Sequence, residues 1–186
     1  MKFKFKVQDY QTEAVESTIR IFEGQPKVEP LSYIRDLGRL KDSNIQIKLT
    51  EEGELDSLDN QGFKNQELMI DDGTILNNVR KIQKENNIKQ SSTLVRSQGR
   101  PAFDIEMETG TGKTYVFIKT MFELNKRYGW TKFIIVVPSI AIREGIKKSF
   151  DMTEDHFMEQ YGKKIRNFIY DSSDLTAIDQ FSSSGD

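Results

Sequence analysis

Met107-Glu108-Thr109-Gly110-Thr111-Gly112-Lys113-Thr114 is the stretch that decides the fold. Before it, Phe103, Ile105 and Met107 alternate with Asp104 and Glu106, as the residues of a strand do. After it, Phe117, Met121, Leu124 and Tyr128 recur at helical spacing and predict a mostly buried helix from Val116 to Tyr128. A glycine turn between strand and helix is what phosphate binding requires, because glycines let backbone N–H groups converge and the helix N-terminus adds a positive end. In that reading Thr109, Gly110, Thr111, Gly112, Lys113 and Thr114 bind nucleotide. Lys113 is the catalytic cation reaching the β- and γ-phosphates, and the Thr114 hydroxyl is the Mg²⁺ ligand, so ATP and Mg²⁺ are the expected cofactors. The plain alternative is a structural glycine turn with a solvated lysine. The strict loop pattern has Gly where Met107 stands, which narrows the branch of P-loop proteins.

Further along, Phe133 to Val137 is a continuous apolar run closed by Pro138, as a central parallel strand would be. Ser139 is placed to cap a helix to about Phe150, Thr153 to cap another to Tyr161 with Gly162 as its stop, and Ile165 to Tyr170 reads as a third strand. Strand, helix, strand, helix, strand predicts an α/β class with a parallel sheet. Upstream, Phe3, Phe5 and Val7 alternate with lysines as a short strand. From Asp9, Tyr10, Ala14, Val15, Ile19 and Phe22 share one helical face that Gly24 can end.

Between these lies a stretch poor in core formers. Ile45, Ile47 and Leu49 alternate in it, Asp72-Gly73 between apolar flanks signals a hairpin, and Asn77 is placed to cap a polar helix to about Asn87 with Val79 and Ile82 inward. The expected organisation is residues 1–24 as a first strand and helix, 25–100 as an inserted α+β segment, and 101–186 as the P-loop core. The end of the chain from Phe181 carries no helix or strand pattern and reads as a flexible end.

Composition removes several chemistries. The chain has 186 residues, no Cys and a single His, His156. Disulfide scaffolds, Cys-ligated zinc and iron–sulfur sites, Cys nucleophiles and His-rich metal sites are excluded together, and no Ser/His/Asp triad has a choice of base. His156 itself reads as a capping or surface residue. No secretory leader or membrane span is legible, so the expectation is a soluble, cytoplasmic protein with no membrane partner. The net charge of -2 and a pI near 5.6 differ from those of a free-standing duplex-DNA binder, whose domain pI usually exceeds about 9.

The string Thr109 to Thr114 is similar to motif I of superfamily two helicases and translocases. Tyr10-Gln11 opening the first helix looks like the upstream element of that branch, whose Gln reads adenine; a side-chain amide donates and accepts at once. Val136-Val-Pro-Ser-Ile-Ala-Ile-Arg-Glu-Gly145 stands where motif Ia holds the phosphates of the tracked strand, which points to Ser139 and Arg143 as DNA contacts. The plain alternative there is a capped helix with Arg143 in a surface ion pair.

Taken with Phe168-Ile-Tyr-Asp-Ser-Ser173, these strings resemble the restriction (Res) subunit of type III restriction-modification enzymes. The resemblance implies a partial RecA-like P-loop domain and the ATP-binding part of a motor that moves on DNA. It also implies a separate nuclease in the intact subunit and a methyltransferase (modification) subunit as partner. Another superfamily two motor, or a P-loop module without catalysis, remains open from the residues themselves. No Asp-Glu dipeptide and no Asp/Glu-x-Lys tripeptide occurs, so the second helicase motif and the nuclease site are expected outside these residues, and the fragment alone is expected to be inactive.

Overall fold

The first helix forms where its apolar stripe says it should. The computed structural model describes residues 5–35, 61–173 and 176–185, and in it α1 spans Asp9–Arg20 with Val15 and Ile19 fully buried. Tyr10, predicted on the same face, stays 47% exposed. The alternation at Phe3 lies outside the described residues, and Phe5 to Gln8 run into α1 without forming a strand.

The hairpin expected at Asp72-Gly73 is a helix instead. Asp71 is the reason: its carboxylate accepts from the Thr74 amide at 2.9 Å and from the Thr74 hydroxyl at 2.9 Å, a capping pattern that outcompetes the turn signal. These bonds hold the exposed Asp71 carboxyl below its ordinary range. The helix, α2 at Asp72–Glu85, thus starts earlier than Asn77, with Ile75 buried and Val79 and Ile82 half-buried along one stripe. Arg20 clamps the far end of α2 through two bonds to Glu85, at 2.6 and 2.8 Å. The Asn78 amide donates to the carbonyls of Ile21 and Glu23, which the end of α1 leaves without helical partners. The alternation at Ile45, Ile47 and Leu49 lies outside the described residues.

The helix after the glycine loop, α3 at Lys113–Tyr128, is the centre of the larger of two compact units, Met1–Lys27, Glu67–Gly129 and Phe133–Arg166. One side meets α1: the Tyr128 hydroxyl donates to the Ile19 carbonyl at 3.0 Å, and Phe22 meets the Tyr128 ring edge-on. The other side meets α4, Ile140–Tyr161, across Ile118, Met121, Phe122 and Phe157. Ser139 caps α4 as expected, accepting from the Ile142 amide, and Gly162 ends it with φ 68. Thr153 starts no second helix. It lies buried inside α4 and donates its hydroxyl to the Ser149 carbonyl at 2.8 Å, so one helix of 22 residues replaces the two predicted.

The parallel sheet expected over 103–107, 133–137 and 165–170 is not formed among the described residues. Among the described residues the paired strands are two antiparallel pairs, β1 (Leu31–Ile34) with β2 (Gln61–Lys64) and β3 (Arg96–Ser97) with β4 (Arg100–Pro101). Apolar composition favours an extended chain, but a strand needs a lateral neighbour for its N–H and C=O groups, and among the described residues these three segments pair with none. Ile134 and Val136 accordingly stand 83% and 89% exposed. The architecture is therefore mixed helix and strand, with helices forming the core.

The second unit comprises Val28–Gln66, Trp130–Lys132 and Asn167–Asp186. In it Tyr33 lies across Gly62, its β1–β2 partner, where a Cβ would come within 2.6 Å of the ring. The predicted flexible end is part of a helix, α5 at Thr176–Ser183, packed on β2. Arg35 donates to the Asp179 carbonyl, and Lys132 donates to the carbonyls of Phe181 and Ser184, which ties down the C-terminal half of that helix. Trp130 is buried. No helix among the described residues is long and apolar enough to cross a membrane.

Candidate nucleotide-binding site

The glycine loop is shaped by two left-handed residues. Gly110 has φ 83 and Gly112 has φ 86, a region costing an L-residue about 1–2 kcal/mol. Gly112 is also the N-cap of α3, and its carbonyl accepts from the Val116 amide at 3.0 Å. The first-turn amides of α3 therefore open toward the loop, where they have no helical acceptor.

Inside the loop, three groups converge on one oxygen. The Glu108 carbonyl accepts from the Lys113 ammonium at 2.6 Å, from the Thr111 hydroxyl at 2.7 Å and from the Thr111 amide at 3.4 Å. The sequence-derived residues Thr111, Gly112 and Lys113 are thus brought together. Thr109 and Gly110 are exposed at the tip, and Thr114 is half-buried in the first turn of α3.

Gln11, far upstream in sequence, arrives at the same place. Its Nε2 donates to the Thr111 carbonyl at 3.0 Å, and a Cβ on Gly112 would stand 2.5 Å from that nitrogen. The loop glycine thus has two jobs, backbone conformation and room for the amide. Gly110 has the same φ requirement but nothing within 4 Å of a would-be Cβ. Gly110→Ala should therefore lose about 1–2 kcal/mol in urea unfolding, Gly112→Ala should lose more, and only the second should regain part of its loss when combined with Gln11→Ala.

Ser139 and Arg143 lie at the start of α4. Ser139 is occupied as the cap, and Arg143 pairs with its exposed neighbour Glu144 at 3.1 Å. An exposed pair of this kind contributes little, about 0–1 kcal/mol.

The sequence reading missed the contact behind the loop. Tyr115, next to Thr114, hydrogen-bonds through its hydroxyl to His156 Nε2 on α4 at 3.0 Å. His156 is therefore no surface cap. Its ring sits among Phe5, Tyr115 and Phe157, and burial, then the Lys119 charge, lower its pKa. Helical spacing alone carries no signal for this pair, since it joins two helices separated by a long interval of chain.

Comparison with known proteins places the chain. The family model for type III restriction enzyme, res subunit, matches residues 4–179. The chain is 37% identical over 110 residues to the type III restriction-modification enzyme EcoP15I Res subunit of Escherichia coli, covering 58% of this chain and 11% of that protein. Against the EcoPI Res subunit of Escherichia phage P1 the identity is 33% over 131 residues, covering 69% of this chain and 13% of that protein. The StyLTI Res subunit of Salmonella typhimurium matches at 44% over 68 residues, 36% of this chain and 7% of that protein. The chain thus spans about a tenth of the length of these curated relatives. On the breadth of the family match it belongs to the type III restriction enzyme Res-subunit family.

Proposed function

We propose that this chain is the ATP-binding N-terminal part of the DNA-translocating motor of a type III restriction endonuclease. One observation carries the reading: the Gln11 amide stands on the Thr111 carbonyl of a glycine loop that caps α3. That arrangement supports the reading, since a side-chain amide, which both donates and accepts, stands beside a glycine turn at a helix N-terminus. Lys113 then neutralises the β- and γ-phosphates, exchanging the Glu108 carbonyl for phosphate oxygens, and Thr114 holds Mg²⁺. Bound Mg²⁺ supplies charge neutralisation between the phosphates. Ser139 and Arg143 at the start of α4 hold the DNA backbone, where a helix N-terminus and a guanidinium both favour phosphate.

In this reading the segments 103–107, 133–137 and 165–170 are strands of a RecA-like parallel sheet whose remaining strands come from the longer polypeptide. The exposure of Ile134 and Val136 supports it. The second helicase motif and the nuclease lie in the same longer polypeptide, which acts in the cytoplasm with a methyltransferase subunit as its partner.

Calorimetric titration of the full-length subunit tests the nucleotide assignment. Mg·ATP should bind with preference over Mg·GTP, and Gln11→Ala should remove most of that preference while leaving phosphate-dependent binding. Indifference to ATP at millimolar concentration would sink the reading, and undiminished base preference in Gln11→Ala would remove Gln11 from it.

A further inference from the structure

The stretch from Asn77 to Pro101 is charged unlike the rest of the chain. It holds six Lys or Arg against one acid, whereas all other residues together hold 21 against 28. Its fold keeps that charge in solvent. After α2 the chain turns at Asn87, whose φ is 54, and runs back along the helix as a strap that ends in the β3–β4 hairpin. Gln83 and Ser91 exchange two bonds at 2.9 and 2.8 Å, and Arg80 donates to the carbonyls of Ser91 and Ser92 at 2.9 and 2.7 Å. Arg96 pairs with Asp72 at the other end of α2.

Two of the six cations, Arg80 and Arg96, are thus fasteners. The acids of the same element are committed as well: Asp71 caps α2, Asp72 holds Arg96, and Glu85 takes both bonds from Arg20. The other four cations are not. Lys84, Lys89 and Arg100 are exposed and have no ion-pair partner among the described residues, and Lys81 meets the exposed Glu23 at 3.6 Å. A pair of that kind contributes about 0–1 kcal/mol and competes weakly for the lysine.

These four are strung along α2 and the strap rather than gathered at a point, and α2 alone is 14 residues or about 21 Å long. A small anion reaches neighbours such as Lys81 and Lys84, whereas an extended polyanion reaches all four. A nucleic-acid backbone has that form, with one negative charge per roughly 1.7 Å of duplex. An acidic protein fits less well, because the core of a protein interface is depleted in lysine and built on apolar anchors. Ile88 and Val95 are the only large apolar residues exposed between Asn77 and Pro101, all of which is described. The exposed Asn77, Gln90, Thr93 and Gln98 instead supply hydrogen-bonding groups of the kind that meet phosphate and sugar.

We propose that α2 and the strap form a nucleic-acid-binding surface on which Lys81, Lys84, Lys89 and Arg100 hold backbone phosphates without reading bases. It lies on different elements from Ser139 and Arg143, and its charge is independent of nucleotide at the glycine loop.

Binding of a labelled duplex DNA of arbitrary sequence to the full-length subunit, without nucleotide, between about 50 and about 200 mM salt tests it. Lys81→Gln, Lys84→Gln, Lys89→Gln and Arg100→Gln combined should flatten the slope of log affinity against log salt by about 3 to 4. Binding at the low-salt end should weaken by at least about tenfold. The unfolding midpoint should stay in place, since exposed substitutions of this kind change stability little. Lys89→Gln with Arg100→Gln, both outside α2, should flatten the slope by about 2, a reading that survives if the fourfold variant fails to fold. Wild-type slope and affinity in both variants would overturn the proposal. So would an unchanged DNA slope with weakened capture of the methyltransferase subunit, which would make the face a protein surface. Arg143→Gln, measured alongside, reports the α4 contact separately: a loss there with none in the strap variants would leave the proposed motor standing and remove this surface alone.

Discussion

Lys113→Ala in the full-length subunit is expected to lower ATP turnover by about 10²- to 10³-fold, the usual effect of removing one donor aimed at developing charge. The ammonium already points back into the glycine loop. It lies 2.6 Å from the Glu108 carbonyl, within a loop whose two glycines hold its backbone in a left-handed turn. Alanine keeps the helix, being the best helix former, so the fold loses nothing at this exposed position. Lys113→Arg should not restore activity, because a forked guanidinium does not fit the point-charge position of an ammonium. Turnover within tenfold of wild type in Lys113→Ala, with a normal unfolding midpoint, would remove the phosphate role from the loop.

Phe157→Ala should be the most damaging single change to stability, costing about 3–5 kcal/mol and lowering the unfolding midpoint of this region by roughly 10 °C. Phe157 is 1% exposed and stands at the centre of a ring cluster, with centroids 4.9 Å from Phe122, 5.2 Å from Tyr115 and 5.0 Å from His156. Four aromatic groups therefore lose a neighbour at once, counting Tyr161 at 6.1 Å, and the rigid helices on either side cannot collapse fully into the space. Phe157→Leu fills most of the volume and gives up the ring geometry, which predicts a loss of about 1–2 kcal/mol. Equal losses for Ala and Leu would mean that packing volume is not what Phe157 contributes.

The parts of this fold legible in the sequence are those decided within a turn or two of chain. The stripe through Val15 and Ile19, the cap at Ser139, the stop at Gly162 and the glycine loop all formed as read. Asp72-Gly73 misled because its turn signal was read without Asp71, whose carboxylate reaches Thr74 and commits the segment to helix. Thr153 misled because a hydroxyl that caps a helix and one that bonds back inside a helix look the same in sequence. The expected parallel strands failed for a different reason: composition supplies extended chain, but the ladder depends on neighbours that local sequence does not contain.

The site divides the same way. Thr111, Gly112 and Lys113 come together as their spacing suggested, while Gln11, which the resemblance assigns to adenine, is bonded to the Thr111 carbonyl across 100 residues. Tyr115 and His156 carried no such signal, because their significance is a contact between helices. A tyrosine and a histidine have no periodic signature.

Fusing two predicted helices into one has a mechanical consequence. At 22 residues α4 is a rod about 33 Å long, held near its far end by the Tyr115–His156 contact and the rings around Phe157. From His156 to the Ser139 end is about 24 Å of unbroken helix, of which the part beyond Phe150, itself packed against Phe117, projects past the core. With no break at Thr153, α4 is one rigid piece that joins the residue beside Thr114, through the Tyr115–His156 contact, to Arg143 near its other end.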